Sequence, residues 1–141
     1  MIPDGPLLAF LGSQHWDNPD EPRDFVDGYL KSWHAKVISG GSVGVCQWVR
    51  EACERMGRLD DLEEIKPVWT RPDGTYNRLV GFERSEKIIR KATHVIVVWN
   101  GTSPGSKHEI DLALRYRKEL RVHYPISVRL YLPADTANPL I

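Results

Sequence analysis

Short apolar runs alternate with longer amphipathic runs from residue 6 to residue 126, and few folds accommodate that alternation. "PLLAFLG" (6–12) is a continuous apolar run closed by glycine, the pattern of a strand covered on both faces. "AKVIS" (35–39), the β-branched "THVIVVWNG" (93–101) and "RVHYPI" (121–126) also read as strands. "EEIKPVWT" (63–70) is a weaker strand, because Pro67 suits only an edge position or a bulge. Helices are expected over 21–33, 45–57, 83–92 and 104–120, the first with Asp20 as N-cap and Pro22 in its first turn. The clearest is the second. There Val45, Trp48, Val49, Ala52, Cys53 and Met56 form one helical stripe, with Arg50, Glu51, Glu54 and Arg55 opposite. "RPDGTYN" (71–77) has turn chemistry and is expected as a surface loop.

Strands that alternate with helices build βαβ units with right-handed crossovers. The expectation is an α/β fold: one Rossmann-like three-layer domain over 1–141, with its core at about 6–126 and a C-terminal tail at 127–141. Its five-stranded parallel sheet is expected in the order 3-2-1-4-5. That order reverses between the first and fourth strands, so a ligand is expected at the carboxyl ends of the strands near that point.

Composition narrows the function classes. The 141 residues can bury one core. Lys plus Arg and Asp plus Glu both number 19, so the net charge is zero and no strong nucleic-acid signal is present. No apolar run approaches the roughly 18 residues of a membrane span, and the short "LLAFL" is no signal-peptide core. A cytoplasmic protein without membrane contact is expected. Cys46 and Cys53 lie seven apart on one helix, too far for a disulfide, and lack zinc-ligand spacing. Both read as small buried apolar side chains, and no metal or cofactor is expected.

The residues at the carboxyl edge carry the chemistry. The first strand ends in Gly12 and Ser13, and the second in a loop with Gly40, Gly41, Ser42 and Gly44. Glycines there let an anion approach the first N–H groups of the following helix, where the macrodipole favours negative charge. A second such loop, with Gly101, Thr102, Ser103, Gly105 and Ser106, opens the helix at 104–120, so two helix N-termini are expected to face one crevice. Trp16, Trp69 and Trp99 fall at the same edge, where an indole could stack on a base. Glu109 has two readings. With Ser106 it fits a capping box; alternatively its carboxylate faces the ligand, where it could stabilise or attack an oxocarbenium-like centre. His15 is the best placed histidine, since His108 points about 100° away from Glu109 on the helix.

"LAFLGSQHW", "VISGGSVGVCQWVREA" and "HVIVVWNGTSPGSKHEIDLA" together resemble the SLOG superfamily. That group includes YspA-like proteins, DNA-processing protein A and the "lonely guy"-like nucleotide phosphoribohydrolases. The resemblance implies a Rossmann-like fold that binds nucleotides or their derivatives. It matches Gly40, Gly41 and Gly44 to the first glycine motif, Gly105 and Ser106 to the second, and Glu109 to the phosphoribohydrolase glutamate. Arg84 takes the place of the arginine in an Arg-Lys pair, with Ser85 in place of the lysine. Cys46 stands where YspA-like proteins commonly carry aspartate, and Gln14 where they commonly carry arginine. The run Glu109-Ile110-Asp111-Leu112-Ala113 is also similar to that of the nucleophilic glutamate in nucleoside deoxyribosyltransferases.

Three functions follow as expectations. The first is a binding domain for a nucleotide-like small molecule, with the phosphate on the two glycine loops. The second is an N-glycosidic hydrolase or transferase acting on nucleoside monophosphates, with Glu109 and Arg84 as catalytic residues. The third is a non-catalytic regulator that binds a protein partner, for example a phage factor acting on a host assembly such as RNA polymerase in transcription. A homodimer is compatible with the resemblance.

Overall fold

In the computed structural model, residues 5–67, 70, 72–75 and 79–124 are described. Among the described residues five strands and four helices alternate. They are β1 (Leu7–Gly12), α1 (Asp20–Ser32), β2 (Lys36–Ser39), α2 (Val45–Arg55), β3 (Leu62–Glu64), α3 (Val80–Lys91), β4 (His94–Val98), α4 (Pro104–Arg115) and β5 (Glu119–His123). A single 3-10 turn, Leu59–Asp61, precedes β3. The strands pair in parallel in the order β3-β2-β1-β4-β5, the expected topology of a Rossmann-like three-layer fold.

Alternation along the inner strands divides the core in two. On β1, Leu8 and Phe10 face α1 and α2 while Ala9 and Leu11 face α3 and α4. On β4, Ile96 and Val98 join the first cluster, and Val95 and Val97 the second. Both faces of the sheet are therefore covered, and the buried positions of these two strands are apolar. Each fully buried Leu, Ile or Phe of this core contributes about 1.5–3 kcal/mol relative to exposure. Phe10 also meets Phe25 and Tyr29 of α1 edge-on, with centroids 6.4 and 6.0 Å away.

Several boundaries differ from expectation. Asp20 is the first helical residue of α1, with Pro19 at the cap and no side-chain bond there. β3 is only Leu62–Glu64, so Pro67 lies beyond the strand and needs no bulge. α3 begins at Val80, earlier than expected, which brings Gly81 and Phe82 onto the helix. α4 stops at Arg115, and Arg117 with φ 54° turns the chain into β5 earlier than the sequence pattern indicates. Cys46 and Cys53 are free and buried. Trp69, parts of the expected 63–70, 71–77 and 121–126 segments, and the tail at 127–141 lie outside the described residues. Among the described residues no helix is long and apolar enough to cross a membrane.

Candidate functional site

β1 lies between β2 and β4, so the crevice at the reversal opens where β1 and β4 end. Two bonds lock the loops that leave it. The buried Ser13 hydroxyl accepts from the Asn100 N–H at 3.0 Å and shares a 2.9 Å hydrogen bond with the Ser106 hydroxyl. The Asn100 side chain in turn accepts from the N–H groups of Thr102 and Ser103, both at 2.9 Å, and donates to the His15 carbonyl at 2.8 Å. Asparagine favours such turns because its carbonyl reaches the backbone two residues on. The post-β4 loop is thus tied to the post-β1 loop before α4 begins.

α4 opens with Ser103 as N-cap, whose side chain accepts from the Ser106 N–H at 3.4 Å, and Pro104 at the first helical position. The capping box expected from Ser106 and Glu109 does not form. Glu109 instead belongs to the buried face of α4 with Ser106, Ile110 and Ala113. Its Oε2 accepts from the Ser85 hydroxyl at 2.8 Å, while its Oε1 is buried without a partner among the described residues. Burial pushes the carboxyl up to about 7, against the smaller opposing pulls of the Ser85 hydrogen bond and the Arg84 guanidinium. Ser85 is therefore the hydroxyl that holds Glu109.

Arg84 comes from the first turns of α3. Its Nη1 donates to the Gly40 carbonyl at 3.0 Å and to the Ser42 hydroxyl at 3.3 Å, while its Nε is buried and has no partner among the described residues. Gly40 is required by this contact, since a Cβ there would sit 1.8 Å from Nη1. Cys46 lies close to the same group. Its thiol is pushed up chiefly by burial, with a Ser39 hydrogen bond pulling the other way.

These groups border a cleft of about 430 Å³, within the size range of small-molecule sites. Of the residues expected from sequence, Gly12, Arg84, Thr102, Ser103, Gly105, Ser106 and Glu109 line it. Ser13, Gly40, Gly41, Ser42, Gly44, Trp99 and Gly101 do not. The arrangement differs from two helix N-termini in one crevice. The first N–H of α2, on Val45, donates to the Ser13 carbonyl at 3.2 Å, and Gly44 at φ +76° packs against Ser13 and Gln14. The first glycine loop borders the cleft at second hand, through its contacts with Arg84 and Gln14. Trp99 is a core residue whose indole N–H donates to the Ser103 carbonyl at 3.1 Å, and the Trp16 indole donates to the Ser13 carbonyl at 2.9 Å. Neither indole lines the cleft.

His15, the histidine best placed in the sequence, lines it together with Gln14 and Ser85, and so do four residues that sequence reasoning did not select: Gly81, Phe82, Asn100 and Pro104. Asn100, in "WNGT", carried an Asx-turn signal. Phe82 carried none, because its place depends on where α3 starts.

No family model matches the chain, and no curated protein does. A solved structure does: DNA processing protein A from Helicobacter pylori, described for its unique single-stranded DNA binding mode. The TM-score is 0.63 at 18% identity, over 83% of this chain and 64% of that one. The chain spans less than two thirds of that protein, and the likeness is one of fold.

Proposed function

We propose that the cleft between the carboxyl ends of β1 and β4 and helices α3 and α4 binds a nucleotide or nucleotide derivative. The observation that carries this reading is the pair of unsatisfied buried groups, Arg84 Nε and Glu109 Oε1, on two residues that line one cleft. Buried polar atoms without partners are uncommon and costly, and a ligand offering an acceptor to one and a donor to the other removes both costs. Arg84 is the cation for a phosphate, and the start of α4 adds its dipole and the Gly105 backbone. Glu109, largely neutral below pH 7, meets a hydroxyl or amino group of the ligand. The fold likeness to a protein described as binding single-stranded DNA is compatible with nucleotide chemistry in this position. The zero net charge favours a small ligand over a long polyanion.

One observation favours a second reading, N-glycosidic hydrolysis or transfer. A carboxyl near 7 beside a phosphate anchor lies in the range where a side chain serves as general acid or base. Calorimetry with nucleoside 5′-monophosphates, alongside a single-stranded oligonucleotide, tests the binding reading. Saturable binding of a mononucleotide that weakens about tenfold or more in Arg84→Ala supports it, the loss expected for charge-assisted bonds worth about 1.5–3 kcal/mol. No heat with any mononucleotide overturns it. Free base released by the wild type but not by Glu109→Gln supports the second reading.

A further inference from the structure

We infer that Phe82 forms the base subsite of this cleft, the aromatic face on which a nucleobase stacks. The inference rests on the nucleotide-binding reading above and goes beyond it by assigning the part of the ligand that is not phosphate. Phe82, in the first turn of α3, is 41% exposed and lines the cleft. It precedes Ser85 by three residues on α3, so the two share a helix face, about 4.5 Å apart along the axis. Ser85 holds Glu109 at 2.8 Å. A ligand whose polar part reaches Glu109 and Arg84 would therefore extend its next ring over Phe82, a displacement comparable to the step from a sugar to its base.

The Phe82 ring is also set in place. His108 of α4 meets it at a centroid distance of 4.6 Å and an interplanar angle of 74°. The two rings meet edge to face, and Phe82 keeps its 41% exposure beside this contact. The indoles that could have served this purpose, Trp16 and Trp99, have their N–H groups committed to backbone carbonyls and do not line the cleft. Stacking tolerates any base because every base has a π-face, and the larger purine face gives the greater overlap.

The experiment compares a purine nucleoside 5′-monophosphate with ribose 5-phosphate, which lacks the base, by calorimetry on the wild type, Phe82→Ala and Phe82→Trp. Circular dichroism checks that each variant is folded. Phe82→Ala is expected to weaken the nucleotide at least fivefold, to leave ribose 5-phosphate unchanged, and to be rescued by Phe82→Trp. Equal weakening of both ligands, or of neither, overturns the base subsite while leaving the nucleotide reading intact. A changed oligomeric state in Phe82→Ala with unchanged nucleotide affinity also overturns it, since the ring would then serve a protein interface. If the wild type binds neither ligand, the nucleotide reading fails and the subsite with it.

Discussion

Glu109 is a carboxyl group buried at the junction of α3 and α4. Its carboxyl is pushed up to about 7 from an ordinary 4.5, with burial as the main cause. Between those two values the folded protein binds more protons than the unfolded chain, so stability falls as pH rises from about 4.5 to about 7 and then levels off. A shift of this size amounts to about 3 kcal/mol. Glu109→Gln keeps the shape and removes the titration. Chemical denaturation at pH 5 and pH 8 should show the wild type losing more stability than the variant by on the order of 2–3 kcal/mol. Equal losses would mean that the carboxyl is ionised at little cost. The sequence left Glu109 open between a cap and a ligand-facing carboxylate, because both readings need a glutamate at the start of a helix. Ser103 decides against the cap, since it already accepts the Ser106 N–H.

At the scale of the element, the first glycine loop has two jobs that single substitutions separate. Gly44 has φ +76°, and a Cβ there would lie 2.5 Å from the Ser13 carbonyl and 2.6 Å from the Gln14 Cα, both backbone atoms that cannot yield. Gly44→Ala should lower stability by about 2 kcal/mol or more. Gly40 has no such strain. Its Cβ would meet only the mobile end of Arg84, so Gly40→Ala should keep its melting temperature within a few degrees while weakening nucleotide binding as Arg84→Ala does. Thermal melts paired with calorimetry check both. A Gly40→Ala protein that binds normally would show that Arg84 needs no support from this loop. The loop's presence was legible in "SGGSVG", but its work was not. Spacing shows that glycines precede a helix; it does not show that the Ser13 carbonyl, some thirty residues away in sequence, has taken the first N–H of that helix.

The whole molecule was the most legible level. A two-faced apolar pattern on β1 and β4 leaves a covered parallel sheet as the consistent solution, and the observed strand order is one of the common doubly wound arrangements of such a sheet. The end of the sheet that carries the cleft followed from that order. Which loops line the cleft did not follow, because that depends on the start of α3 at Val80 and on the Asn100 and Ser13 bonds that draw two loops together. The central claim is that a nucleotide satisfies the buried pair at this junction. Arg84 Nε is the atom that reports on it, because its N–H gives a resolvable nitrogen–proton resonance and has no partner among the described residues. Titrating isotope-labelled protein with a purine nucleoside 5′-monophosphate should shift the Arg84 Nε–H resonance saturably, together with the backbone amides of Gly105 and Ser106. Saturable shifts confined to the α1 and α2 face, with Arg84 Nε–H unmoved, would contradict it.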